Sequence, residues 1–83
     1  MTDRPAAGPI RIVSRLRKRS ISLSGHATSL ALEPEFWDTL AAMAGARKLS
    51  LAALIIEIDS GRAERALASA CRVAALNWAN AQR

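Results

Sequence analysis

Few side chains in these 83 residues are able to do covalent or acid–base chemistry: one cysteine (Cys71), one histidine (His26) and no tyrosine. A lone histidine builds neither a metal centre nor a proton relay, so no metal site is expected around His26. Glu57 and Asp59 stand two apart in a stretch of helical periodicity. They therefore point to different faces and do not form a carboxylate pair. No nucleophile–base arrangement is present, and neither an enzyme nor a cofactor is expected. Cys71 lies among Ala70, Val73, Ala74 and Ala75, which predicts a buried small hydrophobe, not a reactive thiol. A single cysteine also precludes an internal disulfide and suits a reducing compartment.

What remains is charge. The net charge is +5, and residues 1–26 carry all of it: Arg4, Arg11, Arg15, Arg17, Lys18 and Arg19 against Asp3 alone. Residues 27–83 hold six basic and six acidic side chains and sum to zero. A basic arm of this kind attracts polyanions, nucleic acid first and an anionic membrane surface second. As a helix, Ile10, Val13, Leu16 and Lys18 do not make a clean apolar face, which ranks the membrane last. No apolar run suited to a secretory signal follows the first charges, and no stretch approaches the ~20 apolar residues of a membrane span. The cytoplasm is the expected location.

The elements that must position these charges follow from periodicity. Residues 1–19 read as a disordered basic arm that starts with two prolines and a glycine in MTDRPAAGP. Residues 20–32 carry the period of two that marks strands. Ile21 and Leu23 alternate with serines, Ser24-Gly25 breaks the run, and a better strand follows over about 27–32. In that strand Thr28, Leu30 and Leu32 face one way, and Ala27, Ser29 and Ala31 the other. Glu33-Pro34-Glu35 starts a helix, with proline at its first position and acids in its first turn. The helix runs to about Ala46 on a stripe of Phe36, Trp37, Leu40, Met43 and Ala44. Ser50 is a good N-cap for a second helix over about 50–60, with Leu51, Leu54, Ile55 and Ile58 on its apolar face. Asp59-Ser60-Gly61 ends it. Residues 63–83 hold a C-terminal amphipathic helix, on which Leu67, Ala70, Cys71, Ala74 and Trp78 recur at threes and fours.

Alanine supplies much of the 51% hydrophobic content, and only Phe36, Trp37 and Trp78 are aromatic. One small domain near the lower limit of a self-sufficient core is implied, and such chains often complete their core by oligomerising. A lone strand leaves backbone groups unpaired along each side. Two copies pairing antiparallel would bury one edge each. Alternatively, residues 20–24 and 28–32 can fold back as a hairpin through Ser24-Gly25-His26-Ala27.

The run SLALEPEFWDTLAAMAGARKLSLAALI, residues 29–55, resembles the ribbon-helix-helix family of Arc/MetJ-type repressors without a gap. The longer RKRSISLSGHATSLALEPEFWDTL is similar to a bacterial subgroup with a Gly-His-x-Thr-Ser run before the strand and an added third helix. The likeness covers roughly residues 17–80. It implies a mainly α fold with a short β-ribbon, in an intertwined homodimer whose antiparallel ribbon forms between chains. On this likeness pairing between chains is favoured over the hairpin. Leu30, Leu32, Trp37, Leu40, Leu54, Ile55 and Ile58 would form the dimer core within a unit spanning residues 20–62.

The resemblance further implies a transcriptional regulator that inserts the ribbon in the major groove of duplex DNA. Ala27, Ser29 and Ala31 would face the bases, and the start of the second helix at Ser50, Leu51 and Ala52 would clamp a phosphate. Arg15, Arg17, Lys18, Arg19 and His26 would add contacts from the arm and turn. Two alanines among three base-facing positions depart from the family's longer polar side chains. That predicts weak direct readout and strongly salt-dependent affinity. The competing reading is a protein–protein adaptor or antitoxin-like protein with weakened DNA contacts, whose C-terminal helix would hold another protein.

Overall fold

A computed structural model describes residues 15–83. It contains β1 (Arg17–Leu23), β2 (His26–Leu32), α1 (Pro34–Ala46), α2 (Leu51–Ser60) and α3 (Leu67–Ala81). The expectation for residues 1–14 of the arm lies outside the described residues.

The ribbon forms within one chain. β1 and β2 pair antiparallel, from Arg17↔Leu32 at the open end to Leu23↔His26 beside the turn. Two residues close the hairpin, Ser24 at φ 51° and Gly25 at φ 84°. Positive φ at both central positions gives the turn whose twist matches that of the strands it joins. One edge of β2 is thus taken by β1, as in the hairpin alternative, and its other edge stays free. The physical reason is the pair Ile21 and Leu23, which are 7% and 8% exposed and share a face with Leu30 and Leu32. Burying two such side chains contributes on the order of 3–6 kcal/mol, enough to draw this stretch out of the arm and into the sheet. Arg17, Lys18 and Arg19 accordingly belong to β1, so the boundary drawn after residue 19 cuts through a strand.

Three helices cover the inner face of the ribbon. Leu32, Leu40, Leu54, Ile55 and Cys71 are fully buried, and Leu30 and Trp37 nearly so. Ile58 packs against this cluster and is half-buried. Of the seven residues expected to form a dimer core, all but Ile58 are buried within this chain.

α1 begins at Pro34, the position where a missing N–H costs nothing. It ends in a Schellman motif. Lys48 N–H donates to Gly45 O (3.1 Å) and Leu49 N–H to Ala44 O (2.8 Å), while Lys48 sits at φ 58° in the position usually given to glycine. The link between α1 and α2 is therefore an ordered stop, and Gly45 lies inside the helix. α1 and α2 meet at a bend of 98°. Ser50 caps α2, its hydroxyl accepting from Ala53 N–H at 3.0 Å. Gly61 ends the helix. α3 starts only at Leu67, after a turned segment with Ala63 at φ 55°.

Alanines and Cys71 let α3 approach closely: Ala70, Cys71 and Ala75 form its buried stripe. Arg72 ties it to the start of α1, reaching Glu33 Oε1 with Nε at 2.9 Å and Nη2 at 2.8 Å. The same guanidinium lies 5.7 Å from the centroid of the Phe36 ring. Among the described residues no single helix is long and apolar enough to cross a membrane.

Replacing Lys48 by glycine removes the cost of left-handed backbone at a residue with a Cβ. Lys48→Gly is expected to stabilise the chain by about 1 kcal/mol, raising Tm by roughly 4–8 °C in thermal denaturation. Glu33 gives a second test. Its own backbone N–H and then Arg72 hold its carboxyl below the usual carboxylate range. A lowered carboxylate pKa stabilises the fold fully above its unfolded value and loses that contribution as pH falls through the folded one. In paired melting curves, wild type should exceed Glu33→Gln at neutral pH. The gap should hold down to about pH 4.3 and close below it. A gap that persists unchanged at pH 2 would contradict the assignment.

Candidate nucleic-acid interface

Strand alternation sorts the ribbon into two faces. Residues directly opposite each other point the same way, so Lys18, Ser20 and Ser22 of β1 share a face with Ala31, Ser29 and Ala27 of β2. All are exposed except Ala31, which is half-exposed. This is the outward face. Its side chains are small or hydroxylated, with one cation near the open end and no acid.

The three residues expected to face outward, Ala27, Ser29 and Ala31, lie there together. Lys18, expected only as part of an arm, lies beside Ala31 in register. Ser20 and Ser22 were missed as members of this face. Their alternation with Ile21 and Leu23 was the available signal, and it becomes decisive only once Ser24-Gly25 is read as a two-residue turn.

Arg17 and Arg19 point the other way, towards α1. The Arg19 guanidinium lies over the Trp37 ring, 5.0 Å from its centroid. The Trp37 indole N–H donates to Arg17 O at 2.8 Å, fastening the open end of β1 to α1. Arg15 lies just before β1 and is exposed. His26 opens β2 next to the turn, also exposed. The basic residues that sequence grouped as one cluster are therefore split between two sides of a sheet.

At the start of α2, Ser50 uses its hydroxyl on Ala53 N–H. The first N–H groups of a helix have no intrahelical acceptor, and here they belong to Leu51 and Ala52. Ser50 and Ala52 are exposed and Leu51 half-buried, so this terminus faces solvent. A helix N-terminus of this kind suits an anion. Arg47, next to Lys48 at the other side of the loop, is engaged by Glu57 through two contacts of 2.7 and 3.0 Å. Each of these two groups holds the other in its charged form.

A model of the ribbon-helix-helix domain matches residues 16–79, most of the chain. The chain belongs to the ribbon-helix-helix family. The two antiparallel strands followed by helices agree with it, and α3 is an addition to the ribbon and two helices of the family name. The family is one of DNA-binding regulators and antitoxins, without enzymatic activity, and its members generally dimerise. No curated protein and no solved structure matches the chain.

Cys71, expected to be a buried small hydrophobe, is so placed. Cys71 is fully buried, and its thiol pKa is pushed up to about 11, first by burial and then by Asp59. A thiol so protonated at neutral pH is a poor nucleophile. Trp78 is half-buried on α3. Among the described residues no group of three or more His, Cys, Asp or Glu side chains is placed to hold a metal ion.

Proposed function

We propose that this member of the family is a transcriptional regulator that binds duplex DNA as a homodimer, laying the outward face of its ribbon in the major groove. The observation that carries the reading is that face itself: six small or basic side chains, no acid, and a backbone that comes close to whatever lies on it. A two-stranded ribbon fits a groove about 12 Å wide. Serine hydroxyls accept from or donate to any base edge, and an alanine offers only a methyl contact to thymine. Sequence preference is correspondingly modest, and phosphate contacts from Arg15 and Lys18 supply most of the affinity. The amides of Leu51 and Ala52 hold a backbone phosphate, and His26 lies at the ribbon tip. Residence in the cytoplasm and membership of the subgroup with the Gly-His-x-Thr-Ser run belong to the same reading.

The dimer follows from the edges of the ribbon. A two-residue turn makes Leu23↔His26 a doubly hydrogen-bonded pair. By alternation, Ala27, Ser29 and Ala31 turn their own N–H and C=O groups to the free edge of β2. The free edge of β1 is guarded by Arg17, Lys18 and Arg19, whose charges repel a second copy. The edge of β2 has no charge along it. A second copy therefore adds at β2, giving the strand order β1-β2-β2-β1 about a twofold axis. The two central strands then enter the groove with their small side chains, and each Lys18 lies towards a phosphate wall.

An antitoxin-like reading draws on a different observation. Leu76, 55% exposed, lines a groove of about 190 Å³ together with Glu35, Phe36, Thr39, Ala75 and Ala79. Another protein would sit there on α3.

The test is selection from a random duplex pool at physiological salt, followed by salt titration of the recovered site. Recovery of a short inverted repeat is expected, with Lys18→Ala lowering the slope of log K against log salt by about 1 per chain. Uniform recovery, or a slope unchanged by Lys18→Ala, would count against groove insertion of this face.

A further inference from the structure

The side of the ribbon turned away from the outward face holds a cleft that this reading does not use. It lies between the open end of β1 and the first turns of α1, has a volume of about 430 Å³, and is lined by Arg17, Lys18, Arg19, Pro34, Trp37 and Asp38. That volume falls in the range of small-molecule sites. Three of the six lining residues are cationic and one is acidic. Among the described residues, none of the three cations is in an ion pair.

Unpaired cations on a flexible surface are common, but two features here restrain the Arg19 side chain and the Arg17 backbone. The Arg19 guanidinium rests over the Trp37 ring at 5.0 Å, which restrains its plane and leaves the edge N–H groups free. Trp37 is itself immobile, 5% exposed and pinned by its 2.8 Å hydrogen bond to Arg17 O. The ring thus restrains the Arg19 guanidinium, and the bond to Arg17 O fixes the backbone of β1 beside it. Planar donors so restrained recognise phosphate oxygens in pairs at little further cost in entropy.

We infer that this cleft binds the oligophosphate chain of a small nucleotide-type anion. The Arg17 and Arg19 guanidiniums suit neighbouring phosphates of such a chain, while Lys18 borders the cleft with its side chain on the outward face. The buried indole face, already covered by Arg19, leaves no surface for base stacking, so recognition rests on the phosphates. Asp38 is placed to accept from a hydroxyl of the attached sugar.

The first arm of the test needs no DNA and so stands apart from the regulator reading. Isothermal titration of the full chain at physiological salt would use inorganic triphosphate and adenosine triphosphate as probes. Saturable binding of one anion per chain is expected, with Arg19→Gln and Arg17→Gln each weakening it about tenfold or more. Arg65→Gln, a remote cation changed in the same way, should leave it unaltered. No saturable heat, or equal losses in Arg19→Gln and Arg65→Gln, would overturn the site. Since Arg19 is exposed, its loss should not unfold the chain, and a melting curve of each variant checks that. Titration in the presence of a duplex separates the two sources of phosphate. Undiminished binding identifies a free anion as the occupant, whereas displacement in proportion to the duplex would assign the cleft to DNA phosphates and overturn the small-molecule site.

Discussion

The pairing of β1 with β2 in one chain is the constraint from which the other features follow. It decides which side chains share the outward face, which edge is left for a second copy, and where the basic residues go. Without β1, Ala27, Ser29 and Ala31 would be an isolated row with little to offer a base or a phosphate. With β1 in register, Lys18, Ser20 and Ser22 complete the face. The hydrogen bond from Trp37 to Arg17 O and the burial of Ile21 and Leu23 hold that register from the two ends of the strand.

Small residues serve the fold in two ways. On α3, Ala70, Cys71 and Ala75 bring the helix close to the rest of the core without large side chains. That close packing lets an 83-residue chain with three aromatic residues bury Leu32, Leu40, Leu54 and Ile55 fully. On the outward face of the ribbon, Ala27 and Ala31 give up reach in exchange for close approach of backbone. The same economy explains why charge has to carry affinity and why its distribution over two sides of β1 matters.

Much of this was legible in the residues. The start of α1 at Pro34, its end at Ala46 and the cap at Ser50 follow from local rules that tertiary packing does not override here. The assignment of Leu30 and Leu32 inward, and of Ala27, Ser29 and Ala31 outward, follows from a period of two. The identity of the partner strand was not legible. Ile21 and Leu23 fit an edge strand of the same chain or a partly ordered arm equally well, and alternation alone carries no information on which chain a strand pairs with. The consequence reached the site: the arginines beside Lys18 read as one basic cluster, whereas a strand sends neighbours to opposite faces. The rest over Trp37 of Arg19 is a long-range contact with no local signal. The stop at Lys48 was hidden for a similar reason, since glycine is the usual mark of that motif and lysine fills it here.

The central claim is that β1 and β2 of the same chain pair along one edge of β2. Ser20 and Ser29 stand opposite each other in the register, on the exposed face, where paired thiols would meet. The most direct measurement is oxidation of the double variant Ser20→Cys/Ser29→Cys at low protein concentration, with the native Cys71 protected by burial. The bridged species is then identified by mass under denaturing, non-reducing conditions. A closed chain of monomer mass, with the bridge mapped between positions 20 and 29, is the predicted result. A covalent dimer joining position 20 of one chain to position 29 of another would show that the ribbon forms between chains, and the face, the edges and the cleft would all have to be reassigned.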